Sequence, residues 1–195
     1  MLLPEGFLTY HMAAHIAVMN VVAPTVALSA ARMFPLAFER ASHGLAAAAA
    51  VQVMLLWGWH APAMLGLAVQ DAAVMALMHA TLFGAALWFW SAVIGSTRRG
   101  DWTPLAALLV TGKLFCLMGL LLAFAPRVLY AQVALIQSCF GSIGPSLIED
   151  QQMAGLLMLA ACPMVYVAAA IVIARRWLRR LDAEGGWTLA RGDAS

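Results

Sequence analysis

The sequence predicts an all-α, polytopic transmembrane helix bundle of about five spans, and three observations predict it. Of 195 residues, 64% are hydrophobic and only 10% charged. Mean hydropathy is +0.88. The apolar residues also gather into five windows of membrane-crossing length. A soluble domain carries about a quarter of its residues as charges, whereas a helix crossing a bilayer needs about 20 largely apolar residues. These windows consume the chain and leave no length for a soluble domain. The net charge of +2 gives no reason to expect a nucleic-acid partner; the placement of the charges is what informs.

The expected organisation is one transmembrane domain over 1–180, with spans near 7–30, 45–68, 72–94, 104–125 and 151–172, and a cytoplasmic tail over 181–195. The first window lacks a basic leader region and a small-residue cleavage pattern, so it reads as a retained span. Within it Pro24, and near the end of the second Pro62, would free carbonyls or kink the helix. The alanine run Ala46 to Ala50 suits close helix packing in lipid. Trp57, Trp59, Trp88, Trp90 and Trp102 fall near predicted span ends, as interfacial aromatics do. The fourth window carries Lys113 near its centre, too deep to reach the surface, so it is expected to face the bundle. Between the last two windows, 126–150 is less hydrophobic and reads as a loop. Cys116, Cys139 and Cys162 are too dispersed for a disulfide scaffold or a zinc knot.

Orientation follows from the arginines. Arg32 and Arg40 follow span one, Arg98 and Arg99 follow span three, and Arg175, Arg176, Arg179, Arg180 and Arg191 follow span five; Arg127 alone falls on the other side. The positive-inside tendency then puts the amino terminus outside and the carboxyl terminus in the cytoplasm. For a bacterial inner (plasma) membrane, outside is the periplasm.

That orientation turns scattered polar residues into a layer. His11 and His15 open span one, His60 lies near the outer end of span two, and His79 near the outer start of span three. At 1.5 Å per residue, all four lie within roughly 5–15 Å of the outer surface. His43 falls at the other end. Polar side chains are costly in hydrocarbon, so four imidazoles at one depth mark a site. His11 and His15 are four residues apart and share a helix face, the spacing of a zinc-protease HExxH helix, but Met12 stands where that motif has its glutamate. Met75 and His79, and His60 and Met64, repeat the spacing.

Glu149 and Asp150 open span five at the same level, and Met12, Met75 and Met153 lie in the same outer half. Imidazole with thioether suits copper, Cu(I) above all, better than magnesium or calcium. The candidate metal residues are therefore His11, His15, His60 and His79 as nitrogen ligands, Asp150 as a further ligand or an orienter of an imidazole N–H, and Met12, Met75 and Met153 as weaker, exchangeable donors. No arrangement of nucleophile, base and orienter appears, so no enzyme is expected. Two rival readings stay open: a bis-histidine haem carrier, and a metal-free scaffold for other subunits.

Taken in order, "HMAAH", "WGWHAP", His79 followed by "WFW", "FAPRVLYA" and "EDQQMAGLLM" resemble the CtaG-like family of caa3-type cytochrome c oxidase assembly factors. The resemblance spans roughly residues 8–175. It implies a helical membrane protein that helps build a haem-copper oxidase, with copper supply the usual inference and an oxidase subunit or a copper chaperone as partner. It also implies polar family positions at His11, His15, His60, His79, Asp150 and Gln151.

Overall fold

The computed structural model describes residues 6–130, 133 and 146–192, and these are helical throughout their ordered elements, with no strand among them. Eight α-helices can be named. They are α1 (Phe7–Ala17), continued through a π-helical turn (Val18–Val22) into α2 (Ala23–Met33); α3 (Pro35–Ala41); α4 (Leu45–Trp59); α5 (Pro62–Gln70); α6 (Ala72–Arg99); α7 (Thr103–Phe124); and α8 (Leu147–Gly192). Four stretches are long and apolar enough to cross a membrane: Phe7–Met33, Ala72–Arg99, Thr103–Phe124 and Leu147–Ala183. A fifth is the pair α4 and α5, bent by 72° at the break between them. The exterior agrees: Val110, Met54 and Phe124 are 60%, 64% and 71% exposed, apolar surface that lipid, not water, can cover. At the carboxyl end, the helix continues past the candidate span, which ends at Ala183, to Gly192, so most of the stretch expected as a tail is helical.

The break in the second span has a local cause. Pro62 has no N–H and forces its predecessor out of helical geometry, and Ala61 is extended at φ −62°, ψ 137°. Helix α4 therefore stops at Trp59, and α5 restarts with Pro62 in its first turn.

Pro24 acts differently. Ahead of it the helix widens, and the Ala23 amide bonds the Val18 carbonyl, five residues back. The Met19 carbonyl is thereby released from its normal helical donor, and the indole N–H of Trp90 on α6 donates to it at 3.0 Å. Trp90 is thus a buried tether, 4% exposed, and not the interfacial residue expected from its position near the end of a window.

Helices α7 and α8 are the most closely packed pair. A Cβ on Gly155 would lie 2.4 Å from the Ala123 nitrogen, and one on Gly119 would lie 3.0 Å from the Gly155 carbonyl oxygen. The two backbones touch, which only glycine permits. At the centre of the bundle Tyr166 is 1% exposed, ringed by Phe89, Trp90 and Phe115 at centroid distances of 5.5–5.9 Å. Its hydroxyl accepts from Gln52 Nε2 of α4 at 3.0 Å. At one end of the bundle Arg98 donates to the Ala31 carbonyl of α2, and Arg180 of α8 to the Thr97 carbonyl of α6. His11, His15, His60 and His79 lie toward the other end.

Candidate metal centre

Two anchors set the helix that carries His11 and His15. The first amides of any helix lack internal partners. Here the Asp150 carboxylate, from the start of α8, accepts from the Leu8 amide at 2.9 Å and from the Thr9 amide at 3.0 Å. The Thr9 hydroxyl adds a third bond at 2.7 Å. A buried carboxylate on a helix N-terminus is satisfied by both the amides and the helix dipole. About three turns further on, the Trp90 tether at Met19 ties the same run to α6. Between those anchors the i, i+4 pair faces inward, with His11 5% and His15 3% exposed.

His60 is placed by the bend. It caps α4 at φ −89°, ψ 3°, and its Nδ1 lies 2.7 Å from the Leu56 carbonyl. A carbonyl can only accept, so Nδ1 carries the proton and Nε2 carries the lone pair. The His60 carbonyl in turn accepts from the Tyr130 hydroxyl at 3.0 Å. Burial pushes that phenol up to about 12, so it stays a donor at any working pH. On α6, His79 repeats the device, with Nδ1 at 2.8 Å from the Met75 carbonyl.

The four rings converge. Centroid separations are 4.3 Å for His11–His15, 5.5 Å for His15–His60, 6.0 Å for His11–His60, 5.7 Å for His11–His79 and 4.8 Å for the stacked His15–His79 pair. One ligand atom from each of His11, His15 and His60 lies within 4.8 Å of the other two. The Nε2 atoms of His11 and His15 are 3.0 Å apart. Two nitrogens each about 2.0 Å from one tetrahedral ion would be about 3.3 Å apart, so the pair needs little adjustment to share a metal. His60 Nε2 is buried with no hydrogen-bond partner among the described residues. A buried lone pair without a donor is costly, and a metal ion at the centre of the triad would satisfy it. The donor set therefore fits a first-row or soft metal bound through neutral imidazoles.

The other predicted site residues divide. Asp150 was expected as a ligand or an orienter of an imidazole; among the described residues its side-chain hydrogen bonds go to Leu8 and Thr9 of α1, the geometry of a capping residue. Glu149 is engaged in capping its own helix: Ser146 N donates to its carboxylate and Glu149 N to the Ser146 hydroxyl, a reciprocal capping box. Met153 is 54% exposed and points away from the core, because α8 buries Asp150 and Ala154 on one face and position 153 lies off it. Met75 is half-buried, and its carbonyl rather than its sulfur holds His79. Met12, 2% exposed, is adjacent: it lines a cavity of about 10 Å³ with His15, Met19, Met158 and Cys162. Met64 is separated from His60 by the break at Pro62. Cys139 lies outside the described residues.

Sequence reasoning gave no specific role to Tyr130 or Gln151. The Gln151 side chain accepts from the Leu129 amide at 2.7 Å and donates to the Leu122 and Arg127 carbonyls. It thereby ties the segment bearing Tyr130 to the end of α7. The signal was present in the strings "FAPRVLYA" and "EDQQMAGLLM", which carry the two halves of this latch.

The family model described as cytochrome c oxidase caa3 assembly factor, Caa3_CtaG, matches residues 3–180. The chain belongs to this family. The match covers every histidine of the cluster and both halves of the latch. A search of curated proteins and one of solved structures each found no match. As a caa3 assembly factor, the protein is a multi-helix membrane protein whose partner is a cytochrome c oxidase, and assembly rather than catalysis is the role that membership suggests.

Proposed function

We propose that this assembly factor binds copper, as Cu(I), through His11, His15 and His60, with His79 as a fourth or alternate ligand, and supplies it to the oxidase under construction. The observation that carries the reading is the triad: three buried imidazoles within 4.8 Å, one with a fixed tautomer and an unpaired Nε2. Beside it, Met12, Met19, Met158 and Cys162 line the small cavity that His15 also lines. Soft donors next to imidazoles favour Cu(I) and give it exchangeable ligands on the way in or out. A copper chaperone is the proposed donor of the metal.

We place the centre near the periplasmic face of a bacterial inner membrane, amino terminus out. Support comes from the opposite end of the bundle, where Arg32, Arg98 and Arg99 sit beside the arginine-rich turns of α8. Haem fits less well. Rings 4.3–6.0 Å apart leave no slot for a macrocycle between two axial histidines, and the adjoining cavity is about 10 Å³.

Metal analysis of the protein purified after Cu(I) loading tests the reading. The wild type is expected to hold about one copper per chain that a His11→Ala/His79→Ala variant loses. Equally little copper in both would contradict it.

A further inference from the structure

We propose that the face between α4 and α7 docks a membrane-spanning helix of another polypeptide that carries a carboxylate at mid-bilayer depth, with Lys113 as its counter-charge. Lys113 was expected to turn into the bundle. Instead it is exposed, ten residues after Thr103 and eleven before Phe124, the ends of α7. Either end is about 15 Å away, beyond the reach of a lysine side chain, so snorkelling cannot deliver its ammonium to water. It makes no hydrogen bond or ion pair among the described residues. A charge held at that depth against lipid is costly, and such charges pair with another protein group.

A groove lies beside it. Between α4 and α7 runs a depression of about 740 Å³ lined by Ala46, Ala49, Ala50, Ala106, Val110 and Thr111, among others. Small side chains on both walls let another backbone approach closely. Thr111 is among the residues that line the groove; it is 1% exposed, and its buried hydroxyl has no hydrogen-bond partner among the described residues. Lys113 follows Val110 by three residues, one turn along α7, and so stands at the groove's lipid-facing margin. An occupying helix would meet the ammonium along its length.

The occupant is not a second copy of this chain. All nine acidic residues, Glu5, Glu39, Asp71, Asp101, Glu149, Asp150, Asp182, Glu184 and Asp193, fall at or beyond span ends, and none sits at the depth of Lys113. Charge complementarity therefore selects a different protein, and the assembly role makes a membrane subunit of the oxidase the source. This last clause rests on family membership and not on copper binding.

The full chain, with a donor fluorophore at its carboxyl end and reconstituted in phosphatidylcholine vesicles, is titrated with acceptor-labelled Leu/Ala transmembrane peptides bearing Glu, Gln or Leu at their centre. Energy transfer to the wild type is expected to show about threefold to tenfold tighter association for the Glu peptide than for the Leu peptide. That preference is expected to vanish in Lys113→Leu and persist in Lys113→Arg. Because position 113 faces lipid, Lys113→Leu should fold and bind copper as the wild type does, so a failed copper assay and a failed peptide assay are separable. Equal association of the three peptides, or a Glu preference that survives Lys113→Leu, would overturn the proposal. Energy transfer between labelled copies that Lys113→Leu abolishes would put a second copy in the groove and overturn it as well.

Discussion

Replacing His60 with alanine is expected to lower Cu(I) affinity by about 100-fold or more, because it deletes one of three ligands, and altering even a residue that only orients a metal's ligand costs 10–100-fold. The fold should tolerate the change, since the Leu56 carbonyl that accepts from Nδ1 also accepts from the His60 amide at 3.1 Å. His79→Ala should cost less, because His79 is half-buried and stands outside the triad. Competition titrations of the purified variants against a chromophoric Cu(I) chelator give both numbers. Equal losses at the two positions would instead make the centre a four-histidine site. In cells, the His60→Ala variant should accumulate normally while oxidase activity falls; a metal-free scaffold would lose protein and activity together.

Asp150→Ala is expected to act on the fold first. It leaves the buried Leu8 amide and the part-buried Thr9 amide of α1 without their acceptor, while the Thr9 hydroxyl keeps the Asp150 main-chain carbonyl at 3.1 Å; hydrogen bonds to a charged group contribute about 1.5–3 kcal/mol each at most, so a loss of roughly 2–4 kcal/mol follows. Asp150→Asn keeps one acceptor oxygen and should lose about half as much. Thermal unfolding in detergent measures the effect, with copper affinity at low temperature as the control. A true metal ligand would show the reverse: a large loss of copper with little loss of stability.

The membrane class was legible in the hydropathy of the sequence, and the grouping of the histidines in its charge pattern. Charge bias fixes which ends of the spans lie together, and counting residues from those ends fixes depth, which is enough to group His11, His15, His60 and His79. Depth does not give azimuth. Met153 shares the depth of the cluster but is turned away by the helical phase of α8, and Lys113 is turned outward by that of α7. Nor does depth reveal partners across the bundle. Asp150 is one of the first residues of α8, where a capping carboxylate usually serves its own helix; here it caps α1, 142 residues away in sequence. Pro24 and Pro62 signalled breaks, but one produced a π turn that hands a carbonyl to Trp90 and the other a 72° bend. Which occurs depends on the surroundings, because only a nearby donor makes a released carbonyl tolerable in lipid.

The most direct test of the central claim is X-ray absorption at the copper edge of the Cu(I)-loaded protein. Ligation by the triad predicts a first shell of two or three imidazole nitrogens at about 2.0 Å, with outer-shell scattering from the rings, reduced stepwise by His15→Ala and His60→Ala. A spectrum without imidazole scattering, or one that neither substitution alters, would contradict it.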